Sequence, residues 1–342
     1  MIRLDHPHRV HPSPGPLALL ACLVLVIAAC APGSGSLGTP ATPPASSEPS
    51  IEAPSADATP PASESPTPSA TTEPSGTPGE SVAPTVTPAP TATPAGTTIV
   101  RAYYFLGSFT GNGGLVPVLR EVPETRAVAT AAMRELLAGP NEKELSASPA
   151  MYTAIPEGTE LLGLSIEDGV ATVDLSGEYA SGGGSAGMFG RLAQVVYTLT
   201  QFSTVDKVLF ELDGEPVTTF SSEGIILDRA QRRADYRDQL PAIFVDRPAW
   251  GAALGNPGPV SGLTNVFEAT FRVQLLDAKG GLIADRQVMA TCGTGCWGTF
   301  KLQLGYEVAK AQWGTLRVFD LSARDGAQEN VTEYPVWLTP AG

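Results

Sequence analysis

The residues able to do chemistry in this sequence are few and widely separated. Cys292 and Cys296 flank Gly293-Thr294-Gly295. Redox-active pairs have two intervening residues at a helix start and a thiol whose pKa is lowered by its surroundings. Here three small residues lie between strand-like runs, and in an oxidising compartment the pair suits a structural disulfide. Closing so small a loop contributes about 2 kcal/mol and chiefly stiffens the turn. Trp297, next in sequence, reads either as core or as an aromatic anchor for a partner. Asp174 and Glu178 are paired carboxylates near a turn, a spacing suited to a cation or to acid and base roles. Solvated turn acids are the commoner case. Gly182-Gly183-Gly184-Ser185 precedes a helix and offers free amides to an anion, yet it lacks the Lys-Ser/Thr ending of a phosphate-binding loop. It reads as a plain loop.

Histidine chemistry depends on how the chain begins. Arg3 and Arg9 form a cationic start, Leu17 to Ala29 runs apolar, and Cys30 follows Ile27-Ala28-Ala29. The apolar run falls short of the roughly 20 residues a membrane-spanning helix needs, and it suits a secretory signal ending in small residues. A cysteine directly after the cleavage point resembles the bacterial lipobox. Residues 1–29 are therefore expected to be a lipoprotein signal peptide, and Cys30 the lipidated first residue of the mature chain. Its acyl chains supply about 0.8 kcal/mol per buried methylene, enough for lasting attachment. All three histidines, His6, His8 and His11, leave with the signal. The mature chain then has no Ser-His-Asp or Cys-His nucleophile and no histidine-ligated zinc. No metal site, cofactor or catalytic residue is expected. Loss of Arg3, Arg9 and Asp5 leaves 19 basic and 34 acidic residues, which argues against nucleic acid as a partner.

From 30 to 97 the chain is rich in Pro, Thr, Ser, Ala and Gly, with Glu48, Glu52, Asp57, Glu64, Glu73 and Glu80 unopposed by any base. Such a segment buries too little apolar surface to fold and is expected to be a disordered tether. Extended at about 3.1 Å per residue it reaches on the order of 200 Å.

Two folded segments follow. In residues 98–238, strands are predicted at Thr98 to Phe105 and Leu115 to Val122. A helix capped by Thr125 places Val128, Ala132 and Leu136 on one face and stops at Gly139-Pro140. Leu161 to Ile166 and Val170 to Leu175 alternate about Asp168-Gly169, a hairpin signal. A second helix carries Phe189, Leu192, Val196 and Leu199, and Val205 to Leu212 turns at Asp213-Gly214 into Val217 to Phe220. Hairpins outnumber other connections, so the segment reads as α+β, a mostly antiparallel sheet covered by two helices. In residues 241–338 the pattern becomes all-β. Its strands are predicted at Ala242 to Asp246, Pro259 to Thr264, Ala269 to Leu276, Leu282 to Ala290, Phe300 to Leu304, Thr315 to Leu321 and Val331 to Leu338. Seven strands in about 100 residues suit an immunoglobulin-like sandwich.

Particular wording in both segments is familiar. Leu115-Val116-Pro117-Val118, Leu136-Leu137-Ala138-Gly139-Pro140, Ile155-Pro156-Glu157-Gly158-Thr159, Ala171-Thr172-Val173-Asp174-Leu175-Ser176 and Gln194 to Phe202 together resemble the GerMN domain. Asn265-Val266-Phe267-Glu268-Ala269, Ala290 to Gly298 and Gly314 to Phe319 resemble the Gmad2 domain, an immunoglobulin-like module that commonly follows GerMN in secreted bacterial proteins. GerMN domains occur in envelope lipoproteins connected with sporulation and germination and in actinobacterial lipoproteins acting with sensor kinases. The resemblance implies binding or assembly, with no established catalytic residues to carry over. Trp297 and Phe267 are the candidate partner contacts. The expected function is that of a membrane-anchored extracytoplasmic module that binds an envelope protein, peptidoglycan or another wall polymer. The alternatives are an extracytoplasmic hydrolase using Asp174 and Glu178, and an accessory regulator of a membrane sensor or transporter.

Overall fold

Two main sheets, a short two-stranded ribbon and two principal helices build the first domain. In the computed structural model, residues 96–107 and 113–341 are described; the signal peptide, Cys30 and the tether up to residue 95 lie outside them. Strands β1 (Thr97–Leu106), β2 (Gly114–Pro123) and β3 (Met151–Tyr152) form an antiparallel sheet in the order β2-β1-β3. Helix α1 (Val128–Leu137) buries Ala129, Ala132, Met133 and Leu136. Its N-cap is Ala127 and not Thr125, whose hydroxyl accepts from the amide of Ala127, two residues further on. Gly139, at φ +81°, ends that helix in the left-handed conformation glycine tolerates best. Helix α2 (Glu142–Leu145) is a single turn held by a capping box between Asn141 and Glu144.

Strands β4 (Leu161–Glu167), β5 (Val170–Leu175), β6 (Lys207–Leu212) and β7 (Glu215–Pro216) make a second sheet in sequential order. The Asp168-Gly169 turn joins β4 and β5 antiparallel, but β5 and β6 run parallel. A parallel pair requires a crossover, and helix α3 (Ser185–Leu199) supplies it. The predicted single sheet is thus divided in two, with one parallel ladder inside it. The buried stripe of α3 runs Met188, Leu192, Val195, Val196 and Leu199, whereas Phe189 is 40% exposed. The i, i+4, i+8 row starts at Met188 and leaves its neighbour outside. The predicted partner of β6 is cut short at β7, and Thr219–Phe220 (β8) pairs with Ile225–Ile226 (β9).

The second domain contains β10 (Ile243–Arg247), β11 (Ala253–Leu254), β12 (Gly258–Thr264), β13 (Thr270–Asp277), β14 (Leu282–Met289), β15 (Gly298–Leu304), β16 (Gln312–Leu321) and β17 (Gln328–Leu338). One sheet has the order β10-β12-β15 and the other β11-β17-β16-β13-β14. Alternate residues of each face inward, Val273, Leu275, Leu316, Val318, Tyr334 and Val336 from one sheet and Phe244, Val260 and Phe300 from the other. Phe271 meets Phe300 edge-to-face across the sandwich at 4.8 Å. Removing either ring leaves a cavity that costs about 3 to 5 kcal/mol.

Both domains share one compact unit. Gly114 lies so close to Leu240 and Pro241 that a Cβ there would fall on their backbone. The Trp250 amide donates to the Pro117 carbonyl and the Gly251 amide to the Pro335 carbonyl, both at 2.9 Å. The loop between β10 and β11 of the second domain is thereby stapled to a strand of each domain.

Candidate functional site

The exposed end of the second domain is built from two turns that clasp one another. In the first, Val266 is buried, and the chain then passes through Glu268 at φ +54° and Ala269 at φ +56°. Two consecutive non-glycine residues in this region are costly, because Cβ crowds the following carbonyl. The second turn, residues 292–296, is closed by a bond between Cys292 and Cys296, whose Cα atoms are 5.8 Å apart, within the span a disulfide bridges. Three hydrogen bonds lock the turns together. The Thr294 amide donates to the Val266 carbonyl at 2.9 Å, the Glu268 amide to the Thr294 hydroxyl at 2.9 Å, and the Gly295 amide to the Asn265 side chain at 3.0 Å. Gly293 faces the Ala269 backbone with no room for a Cβ. The clasp holds Phe267 outward, 54% exposed. Trp297 is half-buried and packs against the core. It lines a small cavity of about 280 Å³ with Leu240, Asn265 and Asn330. The two aromatic candidates therefore occupy different settings, one projecting and one largely supporting.

At the domain junction, Arg233 bridges the two folds. Its guanidinium stacks on Tyr103 and Tyr197, 5.3 and 4.7 Å from the ring centroids. It donates to the Thr200 hydroxyl at 2.8 Å, the Tyr197 carbonyl at 2.9 Å and the Tyr103 hydroxyl at 3.1 Å. Tyr103 in turn donates to Asp246 of β10 at 2.8 Å, and Arg233 lies 3.8 Å from the same carboxylate. Burial pushes the Tyr103 phenol up to about 12, against the opposing pull of Arg233. Beside this cluster opens a cavity of about 670 Å³ lined in part by Asp246, Ser261, Thr299 and Lys301. Sequence reasoning passed over Arg233, since its partners lie up to 130 residues away.

Comparison with protein families places both halves. Residues 102–218 match Germane, described as sporulation and spore germination. Residues 242–327 match Gmad2, the immunoglobulin-like domain of bacterial spore germination. The chain carries a Germane domain followed by a Gmad2 domain. Among solved structures, the first GerMN domain of the sporulation protein GerM from Bacillus subtilis is 22% identical, covering 40% of this chain and 99% of that one, with a TM-score of 0.34. The tandem GerMN domains of the same protein are 15% identical, covering 72% of this chain and 62% of that one, with a TM-score of 0.35. No curated protein matched.

The remaining sequence candidates lie in the Germane domain. Asp174, at the end of β5, accepts from the Gly214 amide at 3.0 Å, and Asp213 accepts from the Gly177 amide at 3.2 Å. These carboxylates brace adjacent turns. Glu178 is exposed, and a hydrogen bond with Ser176 holds its carboxyl below its ordinary value of 4.5, the wrong direction for a general acid at neutral pH. Among the described residues no group of three or more His, Cys, Asp and Glu is arranged to hold a metal ion. The run leading into the glycine-rich loop points its carbonyls at buried Arg191, which donates to Tyr179 at 2.5 Å, Ser181 at 2.9 Å and, in the loop itself, Gly182 at 3.2 Å. At the start of α3, Ser185 donates to Glu223 at 2.5 Å. The first residue of α3 is thus already engaged by a carboxylate of the chain itself.

Proposed function

We propose that this chain is an extracytoplasmic binding and assembly module of the cell envelope, anchored to the membrane through lipid on Cys30 and held off it by the tether. The observation that carries the reading is the clasp of the Gmad2 domain, where backbone strain and a cystine loop are used to project Phe267. Strained non-glycine turns persist where the surroundings over-determine them, and they cluster at functional sites. The coupling of the two domains through Arg233 supports a module that presents its surfaces in fixed relation. Among the described residues no helix is long and apolar enough to cross a membrane. The hydrolase alternative is weakened by Asp174 and Glu178, which are engaged in turn geometry.

The test is a photo-crosslinking residue placed at 267 in the full chain in cells, with one at exposed Leu162 as the control. A discrete envelope partner captured from 267 and not from 162 is the expected result. No capture, or the same captures from both positions, overturns the reading. Replacement of Cys30 by Ala tests the anchor separately and should abolish labelling by a fatty-acid analogue.

A further inference from the structure

Three of the four tryptophans of the chain, Trp250, Trp313 and Trp337, come together at the junction of the Germane and Gmad2 domains. Trp313 of β16 is 51% exposed and is backed edge-to-face by Trp337 of β17, with ring centroids 5.3 Å apart. Trp250 is half-buried, fixed by the hydrogen bond that its backbone N–H donates to the Pro117 carbonyl. Between Trp313 and Trp250 lies a groove of about 350 Å³ whose other walls include Leu119 of β2 and Pro335 of β17. The rim comes from the Germane domain and carries Asn141, Lys143 and Glu144. Glu144 is neutralised by Arg120 through two bonds of 2.7 Å. Lys143 is exposed and has no ion pair among the described residues. In a chain of formal net charge −14, the groove thus combines an open indole face with one uncompensated cation and a planar amide.

We infer that this groove binds a carboxylate-bearing glycan strand. A pyranose ring offers a flat C–H face to an indole, its hydroxyls suit an amide, and its carboxylate suits an ammonium at the rim. Sites for small or extended ligands are concave, aromatic and equipped with a few placed polar groups, and this groove has that make-up at a size for one or two sugar rings. A protein helix or strand would meet little aliphatic enclosure here, since Leu119 and Pro335 are the only non-aromatic apolar walls. Each domain supplies part of the site, so the staple of Trp250 to Pro117 and of Gly251 to Pro335 is what keeps the groove formed. The inference rests on the envelope-binding reading and names the chemistry of one partner, on a face distinct from the Phe267 clasp.

The experiment titrates the purified full chain, followed by tryptophan fluorescence, with a soluble muramic-acid-containing oligosaccharide and with a neutral chitin oligosaccharide of equal length. The carboxylate-bearing glycan is expected to bind more tightly. Trp313→Ala should weaken both by about tenfold or more, as removal of an aromatic anchor does. Lys143→Gln, at an exposed site with no bearing on folding, should weaken only the carboxylate-bearing glycan, severalfold. Binding of neither glycan, or binding indifferent to Trp313→Ala, overturns the inference. Trp313-dependent binding of a synthetic peptide of residues 85–95 without glycan binding also overturns it, and assigns the groove to the chain's own Pro-rich segment. Phe267→Ala should leave glycan affinity unchanged. Crosslinking from 267 can fail while glycan binding persists, or the reverse, so the two readings fall separately.

Discussion

The glycine loop before α3 and the clasp at 265–269 and 292–296 make opposite use of unusual backbone. Gly182 and Gly183 take positive φ without steric cost, and the Gly182 carbonyl turns inward to Arg191. The clasp instead forces Glu268, Ala269 and Thr294 into the same region and holds them there with a cystine and three cross-turn hydrogen bonds. Glycine marks where the chain must bend, and that alone says little about ligands. Side chains forced through the same bend mark where geometry is being held against a cost.

The largest test of this contrast is Arg191→Met. It leaves the carbonyls of Tyr179, Ser181 and Gly182 without their shared donor and should cost about 3 kcal/mol in denaturant unfolding, with crosslinking from 267 unaffected in the folded fraction. Gly293→Ala comes next. Its Cβ falls on the Ala269 backbone and 2.6 Å from the Val266 carbonyl, so the turns must part, at about 2 kcal/mol, and capture from 267 should be lost while the protein remains folded. Glu268→Gly should work the other way, stabilising by about 1 kcal/mol through relief of the left-handed backbone while loosening the presentation of Phe267. If it stabilises and capture improves as well, strain is not what positions the phenylalanine. The smallest effect is expected at Glu178. Its folded-state value is depressed, so its contribution is present above pH 4.5 and lost as pH falls through the lower folded value. Acid titration of stability should be slightly shallower in Glu178→Gln.

Much of the fold was legible because its signals are local. The alternation in β13, β16 and β17, the Asp168-Gly169 turn and the Gly139 stop each lie within a few residues. The Asn141–Glu144 capping box was equally local, an Asn followed three residues later by Glu, and it went unread because α2 is a single turn. The parallel register of β5 and β6 is not a local property, since it depends on α3 folding back across the sheet. The site was legible only in part. Phe267 and the cysteine pair belong to distinctive wording, but their mutual clasp spans 26 residues between Glu268 and Thr294. Arg233 and the tryptophan groove draw on segments from both domains, and no periodicity within a segment announces such meetings.

The Arg233 cluster also sets an order in time. Tyr103 is 143 residues ahead of the Asp246 carboxylate it bonds. As the chain emerges, the Germane segment can close its own sheets while Tyr103 and Arg233 still await their acid. Loop closure over such a distance is entropically slow and must precede the contacts that reward it. Refolding should therefore show a late phase in which the domains dock, and Asp246→Asn should slow or abolish that phase while the earlier one keeps its rate.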